Sequence, residues 1–488
     1  MRRKLTEFLA PWKKLNKPYI VSASKQLLYS EIFQLIQMNH QSLKKIRAIR
    51  GNVAILCDNS AEYVVAFWSI IFSESTVVPL NPKLSDNEIR KTVVFTDCNW
   101  IICTDLYKEA AINLHDCEGV GVLLIRDDCS LNLIRKSKFN FKRQNNQSVA
   151  LLIATSGTTN NPKVVMLTHE NLITNTKSSI DILSVKFNDV ALIVLPLTYS
   201  YATSQFLCHT MAGATIALYQ KPIFVSKEFY ETACRYRITT TCLVPTMVCV
   251  LNKYKMSLTG KIKFLKAICV GGGPVSSPQV KALLPKLKNV RVIIVYGLTE
   301  CSPRVTTHSY KHDLNKIASV GKPIPGVLVR VVDDKKSVLK PNQTGELIVK
   351  GKNVTPGYYK NKKATSKLII NGWLHTGDLA KYDENGYVYI VGRKKNVIIS
   401  GGINIYPEEA EETLLQHKNI KAVMVSGEAD KLLGEVPVAH VVLNKKIKFE
   451  INDLYNYLDG KISRFKWPKK IYIKKELSQT ISGKIKRF

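Results

Sequence analysis

The chain is 488 residues long, with 45% hydrophobic and 22% charged side chains, a balance that excludes a disordered chain and allows a sizeable core. That length exceeds what one core accommodates, so two or more domains are expected. The formal net charge of +33 points to anionic partners, although the basic residues are spread along the chain rather than gathered in one arm, which argues against nucleic acid, and the abundance of Lys, Asn and Ile fits an AT-rich coding bias equally well.

The N-terminal stretch 1–17 is charged and has no apolar segment behind it, so it does not read as a secretory signal. Asn52–Cys57 then reads as a strand, Ala61–Phe72 as a buried helix and Thr76–Leu80 as a strand. The apolar run from Tyr63 to Phe72 is too short to span a bilayer. Asp86–Phe95 reads as a helix with Ser85 as its N-cap, followed by a strand at Trp100–Cys103. Further strands are expected at Val149–Ala154, Val190–Leu195, Thr215–Leu218, Thr239–Val244, Ala267–Val270 and Arg291–Val295. Such alternation predicts an α/β fold of helix-covered, largely parallel sheets. The eleven cysteines include no C-x-x-C pair, which suits a reducing compartment, so the protein is expected to be soluble and cytoplasmic.

Near Gly392 the pattern changes. A strand at Tyr387–Val391 and another at Val397–Ile399 lead to a helix opened by Pro407 with Glu408, Glu409 and Glu411 in its first turns. Strands follow at Ala422–Val425 and Val436–Leu443, then a helix from Ile451 to around Arg464 and a strand at Lys470–Ile473. This predicts a small α+β C-terminal domain at 395–488, after a large N-terminal domain at 1–394.

Six stretches carry candidate chemistry. The first, Thr155-Ser156-Gly157-Thr158-Thr159-Asn160-Asn161-Pro162-Lys163, lies between the strand Val149–Ala154 and a helix starting near Thr168. Small and hydroxyl residues let several N–H groups converge on an anion, and Lys163 adds charge, as a triphosphate requires. The Walker A spacing is absent, and alone such a loop is more often an ordinary turn. The second, Tyr296-Gly297-Leu298-Thr299-Glu300, leaves the end of a strand, where α/β sheets place ligands. Glu300 is a candidate ligand for Mg²⁺ and Thr299 a donor to phosphate; an incidental carboxylate is the bland alternative. Gly271-Gly272-Gly273-Pro274 permits close approach to a flat ring, or is a plain tight turn. Asp378, in Gly372-Trp373-Leu374-His375-Thr376-Gly377-Asp378, could accept ribose hydroxyls, and Arg393, in Gly392-Arg393-Lys394-Lys395, is a donor fork. A surface ion pair between the two is the alternative. The last is the tail Gln479-Thr480-Ile481-Ser482-Gly483-Lys484-Ile485-Lys486, whose Lys484 would ordinarily be solvated.

In this order the six stretches closely resemble the adenylate-forming superfamily of acyl-CoA synthetases, peptide-synthetase adenylation domains and luciferases. The resemblance spans nearly the whole chain and extends to Asp58–Tyr63 and Val78–Pro82, while Ser400–Pro407 is most similar to the CoA ligases. It implies that Thr155–Lys163 is the phosphate loop, that Gly271–Pro274 and Tyr296–Thr299 flank adenine, and that Glu300 serves the metal. It further implies that Asp378 and Arg393 bind ribose, that Lys395 is an inter-domain hinge and that Lys484 is catalytic. Tyr199 stands where many relatives have histidine, which places Tyr199, with Gly271 and Gly297, in the expected acyl pocket. Asn160 and Val164 stand where the family usually has glycine; a β-branched Val164 would be strained at positive φ.

The implied activity is ATP- and Mg²⁺-dependent activation of a carboxylic acid, fatty or aryl, followed by transfer to CoA. Two alternatives are a ligase that loads the phosphopantetheine of an acidic carrier protein, and a degenerate homologue that only binds nucleotide. Retention of Asp378, Arg393, Glu300 and Lys484 argues against the latter.

Overall fold

The computed structural model describes residues 4–48, 50–139, 148–155, 163–221, 224–253, 262–287, 289–310, 316–400, 403–430, 433–444, 450–479 and 485. Two large sheets dominate. One runs, from edge to edge, through 131–135, 121–125, 98–103, 52–56, 76–80, 149–155 and 163–168. Its five inner strands are parallel, and the outer strands Leu131–Arg135 and Lys163–Thr168 are antiparallel to their neighbours. The second runs through 322–323, 306–310, 291–296, 267–270, 240–243, 190–193, 215–218, 18–21 and 26–28, again parallel in its centre. The central strands are buried throughout, as parallel strands covered by helices on both faces must be.

Local rules account for the helices. Ser85 caps Asp86–Phe95 in a reciprocal box with Glu88. Ala61–Phe72 is apolar on nearly every face and is buried apart from Glu62 and Phe72, which are partly exposed. Among the described residues, no helix is long and apolar enough to cross a membrane. All eleven cysteines are free thiols.

Two features differ from the sequence expectation. The helix expected near Thr168 is present, but the phosphate loop reaches it through a strand that was not expected. The strand Val149–Thr155 returns as the strand Lys163–Thr168 with Thr155 opposite Lys163, and the helix His169–Leu183 begins only after Thr168 has capped it. The run Val164-Val165-Met166-Leu167 has the branched, apolar make-up of a strand. Val164 is therefore a fully buried strand residue opposite Ala154, and it is not among the residues with positive φ, so the strain expected of it does not arise. Second, the helix starting at Ile451 ends at Leu458, because Asp459 is extended and Gly460 takes φ +71°.

A third sheet was not foreseen. It is antiparallel and contains Val327–Val332, Gly345–Gly351, Ile369–Ile370, Trp373–Tyr382 and Val388–Arg393. After the short turn Lys394–Asn396 comes the last sheet, with Ile398–Ser400, Ile403–Ile405, Ile420–Asp430, Gly434–Leu443 and Lys470–Ile473. This sheet and its helices enclose a core of their own, including Ile405, Leu414, Val425, Val441 and Leu454. The helix Pro407–Leu415 meets the helix Ser277–Leu283 of the preceding part through Ser277 Oγ, 2.8 Å from Glu412 Oε1.

Candidate active site

Asp378 and Arg393 lie directly opposite each other on neighbouring antiparallel strands, which fixes their pairing through backbone register. Arg393 Nε is 2.5 Å from Asp378 Oδ1, and Tyr296 Oη donates to Asp378 Oδ2 at 2.6 Å. Asp378 is itself buried, and its strand is held by Thr376, whose hydroxyl donates to the Leu347 carbonyl at 2.7 Å and accepts from the Asp378 amide at 3.0 Å. Gly377 between them takes φ +69°, a conformation L side chains rarely adopt. Burial, reinforced by the Asp378 charge, pushes the Tyr296 phenol well above its ordinary range, so it stays protonated and donates. Asp378 thus meets Arg393 through one carboxylate oxygen and Tyr296 through the other.

A second group forms around Glu300. Thr299–Cys301 is a single helical turn ended by Ser302 at φ +64°. Tyr358 Oη donates to Glu300 Oε1 at 2.7 Å, and the Lys163 ammonium stands 5.8 Å from the centre of the same ring. Burial first and the Glu300 charge second keep the Tyr358 phenol protonated. The Thr355 amide donates to the Glu300 carbonyl at 2.8 Å, and Tyr358 forms a bridge with Val165, so the hairpin of the phosphate loop, Glu300 and Tyr358 are tied together. Thr155 Oγ1 donates to the Lys163 carbonyl at 3.1 Å and closes the base of that hairpin.

The glycines are sterically required. A Cβ on Gly297 would fall 1.5 Å from the Pro303 carbonyl oxygen, and one on Gly271 2.8 Å from the Val295 carbonyl oxygen and 3.3 Å from the Tyr201 ring. Gly272 takes φ +77°. Gly273 and Pro274 continue this turn between the strand Ala267–Val270 and the helix Ser277–Leu283. Tyr199 precedes the helix Ser200–Met211, accepts from Asn81 Nδ2 at 3.1 Å, and is half-buried; Ser200 is 3.0 Å from Thr299 across the two loops.

The structure therefore unites Asp378, Arg393 and Tyr296 in one group, and Glu300 and Lys163 around Tyr358. Lys395 sits in the turn Lys394–Asn396 beside a charge cluster in which Lys394 Nζ is 2.8 Å from Asp334 and 3.7 Å from Glu346, while Lys336 and His375 also face Glu346, at 3.4 and 3.2 Å. Ser156, Gly157, Thr158, Thr159, Asn160 and Lys484 lie outside the described residues. Tyr358, Thr376 and Ser200 escaped sequence reasoning, although Thr376 stood inside a motif and Ser200 directly after Tyr199.

The family model for AMP-binding enzymes matches residues 11–359, and that for the AMP-binding enzyme C-terminal domain matches residues 409–484. The 2-succinylbenzoate–CoA ligase of Oceanobacillus iheyensis is 31% identical over 462 residues, covering 94% of this chain and 93% of that one. Among solved structures, the o-succinylbenzoate CoA synthetase of Bacillus subtilis in complex with its acyl-adenylate intermediate superposes with a TM-score of 0.85 at 28% identity, covering 98% of this chain and 96% of that one. The same enzyme has been solved with ATP and magnesium, with a TM-score of 0.85, 28% identity and 98% coverage of both chains.

Proposed function

The chain belongs to the AMP-binding enzymes, and from that premise we propose that it is an acid–CoA ligase whose acid is 2-succinylbenzoate or a close relative. The single observation that carries the reading is the cross-strand group of Asp378, Arg393 and Tyr296, one strand-end away from Glu300. A carboxylate accepts hydrogen bonds through both oxygens, which suits a vicinal diol, so Asp378 accepts from the ribose hydroxyls of ATP and Arg393 adds a donor. Gly271–Pro274 and Tyr296–Gly297 flank adenine, at turns whose glycines are fixed by the protein's own Val295 and Pro303 carbonyls. Thr155, Ser156, Gly157, Thr158, Thr159 and Lys163 receive the phosphates.

Among the described residues no cluster of three or more metal-ligating side chains occurs, whereas Glu300 sits beside the Lys163 hairpin. That donor set fits Mg²⁺, which characteristically takes one or two carboxylates together with substrate phosphates. When bound, Mg²⁺ supplies positive charge at the phosphate oxygens. Glu300 would hold it, with Thr299 alongside and Tyr358 fixing the carboxylate.

In the first half-reaction a carboxylate oxygen of the acid attacks the α-phosphorus of ATP, the new P–O bond forms, and pyrophosphate leaves with the electron pair of the broken bond. Lys484 stabilises the charge growing on the α-phosphate oxygens. In the second, the CoA sulfur attacks the acyl carbon and AMP departs. Lys484 must leave before the thiol enters, so residues 395–488 form a domain that turns at Lys395. The acid occupies a pocket bounded by Tyr199, Gly271 and Gly297. Eleven free thiols agree with a reducing cytoplasm as the place of work.

The test is acid-dependent exchange of labelled pyrophosphate into ATP over a panel of acids, followed by mass detection of the product with CoA or with a phosphopantetheinylated carrier. Exchange with an aryl dicarboxylate and a CoA thioester product are expected. No exchange with any acid would overturn the ligase reading, and loading of the carrier alone would move the acceptor from CoA to protein.

A further inference from the structure

Directly after the Glu300 turn the chain buries an arginine. Arg304 has no exposed surface and is among the largest fully buried side chains of the protein. Its carbonyl accepts from Asn175 and Asn353, which pins the backbone, and its guanidinium reaches inward. There Nη1 is 3.2 Å from Ser204 Oγ and 3.6 Å from Cys208 Sγ, Nη2 is 3.8 Å from Cys242 Sγ, and Nε has no partner. Among the described residues no carboxylate forms an ion pair with it; the groups that face it are Cys208, Cys242, Cys269 and the Tyr201 ring, whose centre is 5.8 Å away.

A guanidinium cannot shed its charge, and thiols are weak acceptors. Withdrawing such a group from water without a counter-charge is strongly unfavourable, so a fold that keeps one has an anion to bring to it. The position says which. Gly297 packs against the Pro303 carbonyl, so Arg304 hangs from the segment beneath the Tyr296–Thr299 loop. Tyr201 touches the place a Cβ on Gly271 would fill, and so stands between the glycine turn and Arg304. Going inward from the proposed acyl pocket, the order is Gly271, Tyr201, Arg304.

We infer that Arg304 is the counter-charge for a second carboxylate on the acid substrate, admitted at the edge of the Tyr201 ring, and that it selects dicarboxylic over monocarboxylic acids. The inference rests on the ligase reading above. The reacting carboxylate goes to the α-phosphate, the other is held at the far end, and the acid is oriented by both. The rival source of compensation is internal. Burial raises the thiol of Cys242, but a hydrogen bond from Cys269 and the Arg304 charge outweigh it and hold that thiol below its ordinary value. A Cys242 thiolate paired with Arg304 would make the pair structural and indifferent to the acid.

The experiment compares 2-succinylbenzoate with 4-oxo-4-phenylbutanoate, the same skeleton without the ring carboxylate, by pyrophosphate exchange in the full chain and its Arg304→Met variant. Wild type should favour the dicarboxylate, and Arg304→Met should lose roughly thirtyfold or more in kcat/KM on it while changing little on the monocarboxylate. Equal losses on both acids, or an unaltered preference, would overturn the assignment. If wild type activates neither acid, the substrate reading fails by itself. Other pairs of mono- and dicarboxylic acids then decide: a dicarboxylate preference erased by Arg304→Met upholds the inference, and a monocarboxylate preference throughout overturns it. Should Arg304→Met not fold, the thermal shift that each acid confers on wild type decides, with a larger shift for the dicarboxylate expected and equal shifts fatal.

Discussion

At the scale of single residues, Asp378 shows how backbone register sets the partner of a side chain. Its motif nominated it, and its register opposite Arg393 on the next strand explains why the two side chains pair. Asp378→Ala should raise the Kd for ATP about tenfold or more while slowing bound-state chemistry less, since charged hydrogen bonds of this kind are worth roughly 1.5–3 kcal/mol. Isothermal calorimetry with ATP checks this, and an unchanged affinity removes Asp378 from the site. Tyr358 and Arg304 were not legible in the same way, because each is a lone residue whose meaning comes from a neighbour distant in sequence. A second residue-scale consequence concerns acid. His209 is fully buried; its Nδ1 must donate to the Gln205 carbonyl at 2.8 Å, which leaves Nε2 to accept from Thr240 at 2.8 Å. Burial pulls His209 down to about 4, and does the same to His169. The unfolded chain therefore takes up protons from pH 6.5 downward, while the folded chain resists until about 4. Stability is complete above 6.5 and falls as the pH drops toward 4, together by on the order of several kcal/mol. Urea titrations across that window should show the midpoint declining, with a shallower decline in His209→Gln.

At the scale of elements, the parallel strands were legible because short apolar runs alternating with amphipathic helices leave a distinct period. The strands at Thr76–Leu80, Thr215–Leu218 and Ala267–Val270 stand where that period puts them. Of the antiparallel sheet from Val327 to Arg393 only the last strand was legible, since the others alternate buried and exposed residues irregularly and carry bulges near Glu346 and Leu379. Yet that sheet carries Asp378 and Arg393, so the motif was readable while most of its scaffold was not. The short turn Lys394–Asn396 invites a test at this scale. Proline fixes φ near −65°, so Lys395→Pro should fold normally, retain adenylation and lose thioester formation, whereas Lys395→Ala should cost little in either. Rapid-quench measurement of the two half-reactions checks it; normal rates in both would show that the turn is made elsewhere.

At the scale of the whole molecule, the proposed chemistry requires one small body to serve two steps in succession. Lys484→Ala should lower adenylate formation a hundredfold or more, on the order of 3 kcal/mol of transition-state stabilisation, and leave thioester formation from pre-made adenylate nearly unaffected. Equal losses in both steps would rule out alternation. The charge cluster beside Lys395 bears on how such alternation stays reversible. Glu346 is buried and faces two lysines and an imidazole, of which Lys394 belongs to the turn itself while Lys336 and His375 sit on the preceding part. If Lys394 departs as the turn rotates, Glu346 is not stranded, because Lys336 still faces it as a cation and the His375 ring stays in contact. On the proposed rotation, losing Lys394 would then cost Glu346 one partner and not its whole neutralisation, so that the choice of arrangement would fall to the bound nucleotide and thiol more than to the protein's own charges.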